Sequence, residues 1–279
     1  MKILTVCIAL LLALAGPLRS DTKPNILFIL IDDMGWMDLG CQGNEHLHTP
    51  NIDRFAGEGM RFTDAYASAP VCSPTRAALM TGHSPARLAI TNHLPHQDRF
   101  TPEESKLLPA EMRDHLPLEY TTIAERLKEE AGYATAFIGK WHIYSRNDKQ
   151  FAPQHQGFDI NLGGCSNGGP PTLFDPYGLD FLEDRKAGEY LPDRLADETI
   201  AFMRKQQEAE TPFYIALFNY TVHWPMEAPD AYVAKYADRP MKGYNHKVYP
   251  AMIETMDLAM ARVFAEIATL GIEEETFVV

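Results

Sequence analysis

Residues 25–31 read Asn-Ile-Leu-Phe-Ile-Leu-Ile, and Asp32-Asp33 follow directly. An apolar run this short, without polar alternation, predicts a strand buried on both faces. Such a strand belongs to a sheet covered by helices on each side. The two carboxylates then fall at its carboxyl end, where open α/β sheets bind their ligands. The same logic extends outward. Residues 134–138 and 213–218 are further apolar strands, and residues 276–279 begin another. Helical signals lie between them. Thr49-Pro50 reads as an N-cap with proline at the first helical position, and Gly59 as the stop. Thr122 and Glu125 form a capping box for a helix ending at Gly132. Residues 192–209 carry Leu195, Thr199, Phe202 and Met203 at helical spacing. Met252, Met256, Met260, Val263, Ile267 and Leu270 mark a long amphipathic helix stopped by Gly271. This alternation predicts an α/β fold with a largely parallel central sheet and helices on both faces. The Gly/Pro-rich residues 170–180 read as a surface loop rather than a domain linker.

The bulk properties agree. A chain of 279 residues, 46% hydrophobic and 23% charged, is an ordinary globular chain with room for a sizeable core. Its 25 Lys and Arg stand against 38 Asp and Glu, a net charge of −13. That excludes a general nucleic-acid binder, though not an anionic small substrate held by a few local cations. Lys2 precedes the apolar residues 3–15, which end in Ala-Leu-Ala. The run is too short to span a bilayer and reads as an export signal. The expected organisation is a signal peptide and lead-in over residues 1–20, cleaved after residue 15, then one domain over 21–279 with no membrane span. The expected location is periplasmic or secreted, or lysosomal in a eukaryote. Beyond Cys7 in the signal, Cys41, Cys72 and Cys165 are too few for a disulfide framework. An odd count in an exported chain points to a thiol with another task.

Polar residues after the strands are the ones on which a site is built: Asp32-Asp33, Gly139-Lys140-Trp141-His142, and residues 219–223. Paired carboxylates at a strand end suit a hard divalent cation, and equally a solvated turn. Cys72-Ser-Pro-Thr-Arg76 opens a short predicted helix, residues 77–82 being Ala-Ala-Leu-Met-Thr-Gly. Cys72 then sits at a helix N-terminus, where backbone N–H groups favour an anion, with Arg76 one turn on. The plain alternative is a buried cysteine beside a proline-capped helix. His83 and His93 are candidates for a pocket wall. Asn219-Tyr-Thr221 matches a glycosylation sequon, but its place at a strand end favours a structural role.

Cys-x-Pro-x-Arg followed by Ala-Ala-Leu-x-Thr-Gly resembles the signature of the type I, formylglycine-dependent sulfatases. Further stretches match in order: Lys23 to Gly35, His48 to Arg54, Gly132 to Thr135, Gly139 to His142, Gly157-Phe-Asp159 and His223-Trp-Pro225. The resemblance implies an alkaline-phosphatase-like fold and hydrolysis of sulfate monoesters, with a sulfated small molecule or glycan as substrate. It implies that a formylglycine-generating enzyme oxidises Cys72 to formylglycine, whose hydrate is the nucleophile. Asp32, Asp33 and the modified Cys72 are implied to hold one Ca²⁺, with Mg²⁺ as the alternative. Arg76 is implied to stabilise the hydrate, and Lys140 to contact both sulfate and formylglycine. His142 is implied to hydrogen-bond the nucleophile, and His223 to contact the sulfate and protonate the leaving alcohol. Thr75 stands where serine is commoner and keeps the hydroxyl.

The family pattern continues with an Asp-Asn metal pair and a second lysine after a strand like residues 276–279. Those positions lie beyond Val279. The expectation is therefore a C-terminally incomplete catalytic domain, inactive by itself. Two alternatives stand beside the sulfatase: a phosphatase or phosphodiesterase of the same superfamily, and an inactive fragment or pseudoenzyme.

Overall fold

A computed structural model describes residues 23–95, 102–107, 109–145, 148–238 and 247–279. The expected signal segment lies outside these residues. Among these residues five strands form one parallel sheet: β1 (Asn25–Leu30), β2 (Ala134–Gly139), β3 (Ile160–Leu162), β4 (Phe213–Phe218) and β5 (Thr276–Val278), in the order β3-β2-β4-β1-β5. The α-helices are α1 (Pro50–Glu58), α2 (Cys72–Thr81), α3 (Pro85–Leu88), α4 (Ile123–Ala131), α5 (Leu191–Glu208), α6 (Asp230–Lys235) and α7 (Val248–Leu270). The central strand β4 is buried along its whole length, as its unbroken apolar run requires.

Alternate side chains of the strands feed two cores. Ala136, Ile138, Ile215 and Leu217 point to one, which α5 (Leu191–Glu208) and α7 (Val248–Leu270) complete with Leu195, Met203, Met252, Met256 and Met260. Phe137, Tyr214, Ala216 and Phe218 point to the other, closed by Ala77 and Met80 of α2 (Cys72–Thr81) and Ala124 of α4 (Ile123–Ala131). The two-faced sheet and its helices match the expected architecture. So does the capping box of α4: Thr122 Oγ1 accepts from Glu125 N at 3.2 Å, and the Glu125 carboxylate accepts from Thr122 N at 2.6 Å.

Three readings need correction. Thr49 precedes α1 (Pro50–Glu58), but its hydroxyl does not cap that helix. It accepts from Gly40 N at 2.9 Å and contacts Asp53. The cap comes from Asp257 of α7, a buried carboxylate that accepts from Asn51 Nδ2 at 2.7 Å and Ile52 N at 2.8 Å. Residues 170–180 are not simply surface, because Leu173, Tyr177 and Leu179 are buried in the core. β3 was not foreseen: three residues, with a polar one in the middle, carry no apolar run.

Candidate active site

The sheet register places three strand ends at one level. Leu30 of β1 and Gly139 of β2 both pair with Phe218 of β4. The residues that follow emerge together and are stitched by main-chain hydrogen bonds. Lys140 N donates to Phe218 O at 2.7 Å, Asn219 N to Leu30 O at 2.8 Å, and Val222 N to Asp32 O at 2.7 Å. Gly139 is required at its position: its φ is 107°, and a Cβ there would lie 2.0 Å from Phe218 O. The strand can therefore hand Lys140 to the inside of the site only through a glycine.

Asp32 is the electrostatic centre. Its buried carboxylate accepts from Arg76 Nη2 at 3.0 Å on Oδ1 and from Lys140 Nζ on Oδ2. Burial pushes the Asp32 pKa up, but the charges and hydrogen bonds of Arg76 and Lys140 outweigh it and hold the carboxyl below its ordinary value. Arg76 is itself only 1% exposed. Its Nη1 donates to Lys140 O, and its guanidinium lies 5.5 Å from the Phe218 ring centroid. Lys140 Nζ also reaches Cys72 Sγ at 3.4 Å.

Cys72 is the first residue of α2 and lines a cleft of about 290 Å³ together with Asp32, Asp33, Val71, Thr75 and Arg76. Thr75 Oγ1 donates to Ala69 O at 2.8 Å, which ties the cysteine's turn to the incoming chain. The three thiols that the structure describes, Cys41, Cys72 and Cys165, are all free. Asp33 follows in a left-handed conformation that aspartate tolerates, and its Oδ2 lies 3.8 Å from His223 Nε2. Asp32, Cys72 and His223 bring one ligand atom each within 4.8 Å of one another.

The His142 ring uses one nitrogen for the fold: its Nε2 meets the carbonyl of Leu94, and Nδ1 is buried without a partner among the described residues. A carbonyl only accepts, so Nε2 carries the proton and Nδ1 presents a lone pair. Burial first, then the charge of Lys140, depresses the His142 pKa to about 3, so the ring is neutral. His83 does not line that cleft but lines an adjoining, mainly apolar cavity with Phe28, Leu79 and Tyr66, which shares Leu30, Ala67 and Thr75 with the cleft, and it packs edge-on to Tyr120. The His93 Nδ1 is taken up by Asn92 Oδ1 at 3.0 Å. Asn219 is fully buried, as the structural reading of the sequon required, and both its side-chain polar atoms lack partners among the described residues.

Sequence reasoning overlooked Leu94 and Gly168, which meet the His142 ring, and Ser73, which holds Leu94. Ser73 Oγ accepts from Leu94 N at 2.9 Å, and the Gly168 backbone lies against the imidazole. The only sequence trace of the latter is the glycine-rich run of residues 163–169.

The carboxyl edge of the parallel sheet thus gathers a cysteine at a helix N-terminus, two carboxylates and two buried cations. The Sulfatase family model matches residues 24–279, and the chain belongs to the sulfatase family. Its fold is the alkaline-phosphatase-like one. Dog N-acetylgalactosamine-6-sulfatase is 34% identical over 281 residues, 94% of this chain and 50% of that protein. Human arylsulfatase A is 32% identical over 299 residues, 97% of this chain and 54% of that protein. The solved structure of Ps i-CgsB in complex with k-i-k-neocarrahexaose superposes with a TM-score of 0.72 at 27% identity, covering 92% of this chain and 57% of that one. The chain thus spans about half the length of the curated relatives it matches. Among the described residues no helix is long and apolar enough to cross a membrane.

Proposed function

We propose that the protein hydrolyses sulfate monoesters on a glycan, with position 72, converted from cysteine to formylglycine, as the nucleophile. The observation that carries the proposal is the placement of Cys72. It begins α2 and contacts Lys140 Nζ, which together with Arg76 also holds the buried Asp32. Support for a glycan comes from the relatives, named for an N-acetylgalactosamine sulfate and solved with a carrahexaose. The inactive-fragment alternative is not favoured, since the named curated relatives are sulfatases. The phosphatase alternative lacks a serine or threonine at position 72.

The donor set fits a hard divalent cation, Ca²⁺ or Mg²⁺. Asp32 and Asp33 supply carboxylate oxygens, and position 72 supplies an oxygen once it is formylglycine. The charges of Asp32 and Asp33 are matched by those of Arg76 and Lys140, so a bound dication leaves the site net positive and suited to an anion. When bound, the cation offsets the negative charge of the ester and polarises an S–O bond.

The remaining work falls to this chain's own groups. The N-terminus of α2 favours negative charge at position 72. Lys140, held by Asp32, stabilises charge growing on the sulfuryl oxygens, and its preorganisation is worth more in a buried site than in water. Arg76 fixes Lys140 through its carbonyl and Asp32 through its carboxylate. His142, neutral, offers Nδ1 as an acceptor inside the site. His223, part-exposed and facing Asp33, is the group we assign to protonate the departing alcohol, and its exposure and nearness to Asp33 support that role.

Residues 1–20 as an export signal cleaved after residue 15, residues 21–279 as the catalytic portion, export to periplasm, lysosome or medium, and maturation by a formylglycine-generating enzyme complete the proposal. The test is a panel of sulfated glycans and an aryl sulfate, with the matching phosphate monoesters beside them. Sulfate release that exceeds phosphate release is the expected outcome. Turnover of the phosphates alone would refute the proposal.

A further inference from the structure

We propose that Ser73 and Gly168 are positioning residues that together hold the His142 imidazole. The proposal rests on the sulfatase reading only for what the held ring then does. Ser73 is the residue after Cys72 on α2 and is fully buried. Its hydroxyl oxygen accepts the Leu94 N–H at 2.9 Å, and the Leu94 carbonyl accepts from His142 Nε2. One helix therefore carries the nucleophile position and, through two hydrogen bonds, sets where the imidazole sits. The second hold is steric. A Cβ on Gly168 would lie 2.8 Å from His142 Cε1, 3.1 Å from Nε2 and 3.4 Å from Nδ1. Contacts with three atoms of one ring mean that the glycine backbone packs against the imidazole, leaving no room for a methyl. His142 N also donates to Cys165 O at 3.0 Å, so the same loop fixes the backbone of the residue whose ring it covers.

The next glycine backs a different histidine. A Cβ on Gly169 would lie 2.5 Å from Trp224 O and 3.2 Å from His223 Nδ1. Adjacent methyls thus have separate targets, and general damage to the loop does not share that pattern.

The test uses the whole protein with labelled histidine, following the imidazole Cε1–H signals by NMR. The His142 and His223 signals are assigned by their loss in His142→Gln and His223→Gln. Gly168→Ala is expected to shift the His142 signal and spare that of His223, and Gly169→Ala to do the reverse. Ser73→Ala is expected to shift the His142 signal, and Ser73→Thr, which keeps the hydroxyl, to restore it. Should either glycine variant fail to fold, the serine pair decides. An unmoved His142 signal in Gly168→Ala, or both signals moving alike in both glycine variants, overturns the proposal. In the kinetic arm, Gly168→Ala is expected to lower kcat on an aryl sulfate by about 10–100-fold with KM little changed, the scale of a misplaced group. In the His142→Gln background it should cost nothing further; additive losses overturn the proposal. A wild-type protein that releases no sulfate refutes the sulfatase reading, and the NMR arm still decides the positioning claim.

Discussion

Replacing Asp32 by asparagine keeps the shape of the side chain and removes its charge. Arg76 at 1% exposure and Lys140 at 0% exposure would then be buried cations that have lost their shared counter-charge. Removing one member of a buried pair costs about 3–5 kcal/mol, because the other charge stays desolvated without compensation. Two orphaned cations put Asp32→Asn at or above that range, a large share of the roughly 5–15 kcal/mol that keeps a domain folded. At about 2–4 °C per kcal/mol for a chain of this size, Tm should fall by about 6–20 °C. Thermal unfolding in EDTA at neutral pH is the assay, so that no bound cation contributes. Lys140→Met removes one of the stranded cations. The double variant Asp32→Asn/Lys140→Met should therefore be more stable than Asp32→Asn alone. An unchanged Tm in Asp32→Asn, or a double variant less stable than the single one, would refute the view of Asp32 as the hub of a buried charge network.

Three further outcomes follow from named groups. His142 titrates at about 3 in the fold against an ordinary 6.5, so the unfolded chain binds the extra proton first. Its contribution to stability is present above pH 6.5 and lost as pH falls towards about 3, and His142→Gln should flatten that part of an unfolding-versus-pH series. Asp257→Ala strips the cap from α1 and leaves buried donors unpaired, so chemical denaturation should show a loss of about 1–3 kcal/mol. His223→Ala should slow sugar sulfates far more than nitrophenyl sulfate, whose leaving group needs no proton; equal losses on both would remove His223 from the general-acid role.

Much of this was legible in the sequence, for physical reasons that differ by element. β4 is covered on both sides, so it appears as an uninterrupted apolar run; the equally apolar β1 is only part-buried at Ile26, Phe28, Ile29 and Leu30, with Phe28 and Leu30 lining a cavity. α4 announces itself because its capping box is local, Thr122 and Glu125 being three residues apart. Asp32, Lys140 and His223 could be picked out because a parallel sheet delivers its strand ends to one edge. What pairs with what was not legible. The Arg76–Asp32–Lys140 network joins residues 44 and 108 positions apart, and no local pattern encodes it. The cap on α1 looked local at Thr49 but arrives from Asp257, about 200 residues later. The bond from His142 Nε2 to Leu94 O, which fixes the tautomer of the ring, joins residues 48 positions apart and is equally absent from any local pattern. The packing of Gly168 is likewise visible only in three dimensions, since a glycine that makes room for a ring reads in sequence like any loop glycine.

The central claim is that position 72 does the chemistry as formylglycine. Mass spectrometry of the peptide spanning residues 62–76, on the same preparation assayed for sulfate release, tests it most directly. The aldehyde should be present at position 72, and activity should rise in proportion to its fraction across preparations matured to different extents. A preparation that releases sulfate at full rate with Cys72 wholly in the thiol form would contradict the account.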